Sequence, residues 1–378
     1  MGKLKFNTDE VLPMLSRVVS VVNAKNPIPI LGNVVFQTRQ DTGLTITTSD
    51  SETWLTIKTP CIEFDEPMMF CVLAQDIFKV LSNLKGKEVE MVLDKETHTV
   101  LGTYKKGHFS LPYEDAEEYP RPAMAMDDAI QMEMNAANML RALDKASFAI
   151  ANEKLRPILN GVHFDFMQDY MVAVATDGQK LAKHIDNTIK TECDDSVVHG
   201  FTLPRKPVTL LIGLLSGCDT NVNLLFTDKC VSIGNSDFKL MTRLLEGNYP
   251  QYDRVIPTDN TVETIVPKNE LIDALKRVLP MGNASSELVK MAFSMGNVTI
   301  SAEDISYSKA ADESIDCDYA SQELTIGFNG GYLTELLQNI DGDNVKICLK
   351  EPSRSGLFKP TEAHESEDYV ALLMPIFV

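Results

Sequence analysis

Three acidic residues, Asp50, Asp177 and Glu303, fall at roughly equivalent places in a chain whose segments repeat. Carboxylates so placed could hold divalent cations for phosphoryl chemistry. Their surroundings argue against it. The three lie in different thirds of the chain, with no histidine or glycine-rich phosphate loop beside them, and the six histidines follow no pattern. Short acidic side chains near turns accept from backbone N–H groups instead, so a capping or turn role is expected for all three. The seven cysteines (Cys61, Cys71, Cys193, Cys218, Cys230, Cys317, Cys348) are odd in number, scattered and never spaced CxxC. That pattern supports neither a disulfide framework nor a zinc site, and buried, reduced thiols are expected. No catalytic residue, metal or cofactor is expected from this inventory.

The elements that position these residues repeat. Residues 29–36, Pro-Ile-Leu-Gly-Asn-Val-Val-Phe, return at 157–164 as Pro-Ile-Leu-Asn-Gly-Val-His-Phe. The offset is about 128 residues, roughly a third of the chain, and self-similarity at a fixed offset marks a repeat architecture. A Ser-Asp or Thr-Asp pair follows each copy (Ser49-Asp50, Thr176-Asp177). The third copy is fainter, with 266–278 read as its helix and 288–301 as two short strands. Each third splits again into two half-units of helix then strands. Apolar residues at helical spacing (Val11, Leu12, Leu15, Val18, Val19, Val22) predict a helix over 8–22, with Asn7 or Thr8 as N-cap. Alternation predicts strands at 44–48 and 54–57, a second helix follows at 74–84, and 89–93 and 99–111 read as strand. The fold class is therefore α+β, with three like domains (1–125, 126–257, 258–378), each laying two helices on antiparallel sheet. Such units either stack in an open array or close on themselves.

The composition is that of an ordinary globular chain: 378 residues, 44% hydrophobic and 24% charged. No N-terminal stretch reads as a signal peptide and no run approaches the roughly 20 apolar residues of a membrane helix, so a cytoplasmic location is the default. The formal charge is −19, from 54 acidic and 35 basic residues. In bulk that opposes nucleic-acid binding, which rests on Lys and Arg.

Several ordered segments bear on that charge. They are Pro29-Ile30-Leu31-Gly32-Asn33; Leu159-Asn160-Gly161 leading to Ala175-Thr176-Asp177-Gly178-Gln179-Lys180-Leu181; Tyr249-Pro250-Gln251-Tyr252-Asp253-Arg254-Val255-Ile256-Pro257; Ile326-Gly327-Phe328-Asn329; and Tyr369-Val370 through Met374-Pro375. Through them the chain resembles the bacterial DNA polymerase III beta subunit family, the DNA sliding clamps, from end to end. The resemblance implies a non-enzymatic DNA clamp fold: a head-to-tail homodimer, closed as a six-domain ring around double-stranded DNA, with helices lining the hole and sheet outside. It implies as partners the DNA polymerase III alpha subunit, the clamp loader, repair and translesion polymerases, and other proteins with clamp-binding motifs. An open repeat scaffold that binds only protein, as a monomer, is the rival reading.

The charge then has a physical account. The helices predicted for the inner face carry Arg17, Lys79, Arg141, Lys145, Arg205, Lys206, Lys276 and Arg277. Acidic runs at 114–118 and 362–368 fall in predicted loops. A basic lining under an acidic exterior draws in the duplex axis and reads only phosphates, without sequence specificity. Lys25 and Arg156, in the loops beside the two repeated segments, match positions where family members touch DNA.

The resemblance also implies a hydrophobic pocket for short linear motifs. Its wall is Leu159, Thr176, Gly178, Lys180, Leu181, Pro250, Arg254 and Val255, with Leu372, Met374, Pro375 and Ile376 from the C-terminus and Ser355 nearby. The alternative for Leu159, Leu181 and Val255 is plain core. The chain departs from the family pattern at Lys180, where Arg is common, at Gln179, where His is common, and in its ending Ile376-Phe377-Val378. Phe109 and Leu111 on one side, with Leu279 and Met281 on the other, match the head-to-tail dimer seam.

Overall fold

Asn7 Oδ1 accepts from Asp9 N at 3.0 Å, so Asn7 caps helix α1 (Thr8–Val19) by satisfying an N–H the helix cannot. Thr8, the other candidate, is buried, with its hydroxyl donating to Leu84 O at 2.6 Å. That bond ties the start of α1 to the turn after α2 (Ala74–Ser82). α1 ends before the expected residue 22. The computed structural model describes residues 2–23, 25–126, 128–190, 199–362 and 366–378. Cys193, Asp127 just past the expected domain boundary at 125/126, and 363–365 of the second acidic run lie outside the described residues.

Contacts divide the chain into two compact units, Met1–Ala137 with Thr209–Leu244, and Asn138–Val208 with Leu245–Val378. In the first, a thirteen-stranded antiparallel sheet runs from Ile130–Asn135 at one edge to Glu63–Phe64 at the other. α1 and α2 pack together and bury Val11, Leu15 and Val18 of the stripe that the helical spacing predicts, with Ile77 and Leu81 from α2, while Leu12, Val19 and Val22 are half-buried. Thr53–Thr59 pairs with Phe238–Arg243, joining strands of the first and middle thirds.

The second unit holds an eight-stranded and a four-stranded sheet, both antiparallel. In the larger, Lys180–Asp186 pairs with Glu367–Leu373, setting Leu181 opposite Leu372. This joins the middle third to the last in the same way. The middle third is thus shared between the two units because its strands extend a neighbour's sheet in each. The remaining helices are α3 (Ala136–Ser147), α4 (Arg205–Leu215), α5 (Lys268–Val278) and α6 (Gly330–Gln338). α6 begins on a glycine for a steric reason: a Cβ on Gly330 would stand 2.3 Å from Leu279 Cδ2.

Some expectations are corrected. Residues 266 and 267 finish the strand Val262–Pro267, and the helix starts only at Lys268. The stretch 99–111 is two strands, Thr99–Tyr104 and Gly107–Asp115, with Lys105 in the left-handed region between them. Of the acidic runs assigned to loops, Glu114 and Asp115 end a strand, and Glu367 and Asp368 begin one. Asp50 and Asp177 each accept two backbone N–H bonds in a turn, whereas Glu303 sits on the strand Asn297–Asp304 and pairs with Lys290 at 2.8 Å. The six described cysteines are free thiols, with Cys71, Cys230 and Cys348 buried and Cys61, Cys218 and Cys317 half-buried.

Candidate functional site

The turn between Met171–Thr176 and Lys180–Asp186 is built by its own side chains. Thr176 Oγ1 accepts from Gly178 N (3.0 Å) and donates to Lys180 O (2.7 Å). Asp177 Oδ1 accepts from Gln179 N and Lys180 N at 2.8 and 2.9 Å. Gly178 has φ +88, where a Cβ is strained. The C-terminal segment then crosses this turn. Met374 N donates to Gln179 O and Ile376 N to Gly327 O, both at 2.8 Å. Ser355 Oγ donates to Met374 Sδ at 3.0 Å. Met374 is 46% exposed, beside a floor made by buried Leu181 and Leu372.

The segment 249–255 is braced from below. The rings of His163 and Tyr249 stack with centroids 4.4 Å apart. His163 Nε2 meets Asp165 Oδ1 at 3.0 Å, and Tyr252 OH donates to Asp165 Oδ2 at 2.7 Å. Burial alone would raise the Asp165 pKa, but the hydrogen bonds from His163 and Tyr252 bring it below the usual carboxylate value. Lys183 pairs with Asp253 at 2.6 Å. So held, the segment presents Pro250, Arg254 and Val255 to solvent, with Val255 59% exposed. Exposed apolar side chains beside a buried apolar floor suit the capture of a short apolar segment.

Leu159 is buried at the end of the turn Pro157–Leu159. Pro375 and Ile376 are half-buried. The wall assignment of Lys180 is corrected. Strand alternation sends its side chain to the face opposite Leu181, where it is 5% exposed. There it pairs with Glu335 and lies over the Tyr332 ring at 4.6 Å. Sequence reading missed Tyr252, Leu357 and Val370, which share a buried cluster with Leu181 and Leu372. Alternation in 368–372 is the signal that could have found Val370.

Among the cations, Lys25 and Lys79 are exposed and Arg17 is half-exposed, all in the first unit. In the second, Arg156 pairs with Glu153 at 2.8 Å and lies over Gly178. Arg205 donates to Ile150 O at 2.6 Å, Lys276 pairs with Asp273 at 3.2 Å, and Arg277 makes a two-point pair with Glu313. Lys206 is half-buried. Two assignments to a DNA-facing set are corrected. Lys145 is buried, donating to Asn339 O and Asp341 Oδ1, both at 2.7 Å. Arg141 is held by Glu367 (Nε to Oε2, 2.5 Å) and by Asp341 (2.6 Å). Carboxylates distant in sequence neutralise both, so neither is offered to phosphate.

For the expected seam, Phe109 and Leu111 are half-buried on Gly107–Asp115. Residues 107–112 pair with Thr99–Tyr104 on one side, while pairing on the other side begins only at Tyr113. Their second edge therefore carries no strand among the described residues. In the second unit, Lys309–Asp316 is likewise an edge, paired among the described residues only with Asn297–Asp304. Leu279 and Met281 lie in the turn Leu279–Met281, and Met281 is 40% exposed. Among the described residues no helix is long and apolar enough to cross a membrane.

Comparison with known proteins accounts for nearly the whole chain. Residues 2–124, 133–251 and 253–376 match the N-terminal, central and C-terminal domains of the DNA polymerase III beta subunit. The beta sliding clamp of Haemophilus influenzae is 28% identical over 374 residues, covering 98% of this chain and 99% of the relative. That of Escherichia coli K12 is 26% identical over 379 residues, with the same coverage. The fold is shared with the sliding clamp of Bartonella birtlesii bound to griselimycin (TM-score 0.90, 24% identity) and with that of Pseudomonas aeruginosa bound to the same compound (TM-score 0.92, 22% identity), each over 100% of both chains.

Proposed function

The chain belongs to the DNA polymerase III beta subunit family, and on that premise we propose how its surfaces serve the work of a sliding clamp. It is a non-catalytic processivity factor with a three-domain clamp fold, and its partners are DNA and the polymerase. The domains are taken as 1–125, 126–257 and 258–378, a division supported by the three family matches.

Two chains close head to tail into a ring around duplex DNA. The observation that carries this is the pair of unpartnered strand edges, 107–112 in the first unit and 309–316 in the second. Open edges invite pairing with another chain, and each has the apolar residues of the expected seam beside it, Phe109 and Leu111 in one unit, Leu279 and Met281 in the other. Within the ring Arg17, Lys25, Lys79, Arg156, Arg205 and Lys276 face phosphates. Because they neutralise charge without reading base edges, binding is sequence-independent and salt-sensitive. The site formed by Thr176, Gly178, Leu181, Val255, Leu372 and Met374 takes apolar motifs of the alpha subunit, the clamp loader and repair or translesion polymerases, in the cytoplasm.

The test is topological. Loaded protein stays on nicked circular DNA and runs off once the circle is linearised. Equal retention on both forms would sink the ring and favour an open scaffold.

A further inference from the structure

A second concavity lies on the same sheet face as the partner site. Leu181, Lys183 and Ile185 alternate on one side of their strand, opposite Leu372, Val370 and Asp368. The floor that starts at Leu181 and Leu372 therefore runs on to Ile185, roughly 13 Å further at ~3.3 Å per residue. There it opens into a cavity of about 470 Å³ whose apolar lining includes Ile185, Ile256, Leu357 and Val370.

The two floors are one structure. Leu181, Leu372, Leu357 and Val370 share a buried cluster, with Ile185 and Ile256 packed against it. Their walls are also tied. Asn260 Nδ2, at the cavity, donates to Ser355 O at 2.9 Å, and Ser355 reaches Met374. The rim charges are not all satisfied. Lys183 is matched by Asp253 and Glu263 by Lys346, each at 2.6 Å. Lys359 and Asp368 line the cavity with no ion-pair partner among the described residues.

We propose that this cavity receives the partner segment adjoining the apolar motif. That segment is an extended stretch with one apolar side chain for the floor, an acidic residue for Lys359 and a basic one for Asp368. The proposal rests on the partner-site reading above. One unbroken extended peptide reaches both places, because the floor between them spans four residues of strand.

The test uses fluorescein-labelled synthetic peptides and the full-length protein. An anchor peptide carries Leu-Phe, and two longer ones add Gly-Ser-Gly-Asp-Leu-Lys at either end. One longer peptide should bind about fivefold to twentyfold more tightly than the anchor, the gain expected from one partly buried apolar side chain with exposed ion pairs. Asp368→Lys and Lys359→Glu should each reduce that gain and leave anchor affinity unchanged. Exchanging the peptide's Asp for Lys should restore binding to Lys359→Glu, which a merely damaged fold would not do. No gain from either extension, or a gain that survives both substitutions, overturns the proposal while the partner site stands. Failure of the anchor peptide itself overturns the partner-site reading and takes this proposal with it.

Discussion

Arg141 and Glu367, 226 residues apart in sequence, form a two-point ion pair in the second unit. The same guanidinium reaches Asp341, which also accepts from Lys145. Glu367 Oε2 takes a further bond from buried His184 Nε2 at 2.8 Å. One network thus fastens α3 and two strands of the large sheet to the end of α6, using cations that a count of basic residues would assign to DNA.

Glu367→Gln leaves the Arg141 charge partly buried and poorly matched. Because the Arg141 side chain is 37% exposed, the loss is discounted from that of a fully buried pair to about 1–3 kcal/mol. A lowered thermal midpoint at pH 7, with DNA retention by the folded protein unchanged, is the expected result. Weakened DNA retention without lost stability would restore Arg141 to the DNA-facing set.

The same network makes stability fall in acid. Hydrogen bonding from Arg141 and His184 holds the Glu367 pKa down to about 2 from 4.5. A lowered folded-state pKa gives stability present above the unfolded value and lost as pH falls toward the folded one. Burial lowers the His184 pKa below 6.5, despite Glu367 and Asp186, so its neutral form is favoured and stability begins to drop below that pH. Both effects have the same sign. Unfolding midpoints should decline from pH 7 to pH 4, and more shallowly in Glu367→Gln. An equal slope in that variant would assign the acid sensitivity to other groups.

For DNA, Lys25→Ala, Lys79→Ala and Arg17→Ala should each weaken retention uniformly across sequences. Each should also reduce the slope of log K against log salt by about 0.9 if one phosphate contact is lost. Lys145→Ala should instead lower stability, since its ammonium is buried against Asp341. Titration of a loaded ring with salt measures the first, and thermal unfolding the second.

At the partner site, Val255→Asp puts a charge on an exposed apolar wall. It should cost an apolar peptide about 1.5–3 kcal/mol, or roughly tenfold to a hundredfold in Kd. Deleting 374–378 should abolish peptide binding and leave DNA retention by a loaded ring intact. A deletion that unfolds the protein would make the tail core, tied as it is through Met374 N and Ile376 N.

On the proposed head-to-tail ring, Phe109→Asp with Leu111→Asp should leave a 42.0 kDa monomer and abolish retention on nicked circles. Charges next to an open strand edge oppose edge-to-edge pairing. A dimeric mass for this variant would move the seam elsewhere.

Periodicity alone determined much of this protein. The apolar spacing of α1, an N-cap at Asn7 or Thr8 and the turn carboxylates Asp50 and Asp177 are local features, written within a few residues of where they act, and the repeat offset is read by setting one third of the chain beside another. Tertiary structure decided what local pattern cannot carry. Arg141 and Lys145 look like Arg17 and Lys79 in sequence, all basic residues on amphipathic helices. They differ because Glu367 and Asp341 close on the first pair from roughly 200 residues away and hold both cations against the protein. Lys180 and Leu181 are neighbours in the chain yet point to opposite faces of one strand. The pairing with Glu367–Leu373 sets Leu181 opposite Leu372, in the floor of the proposed partner site.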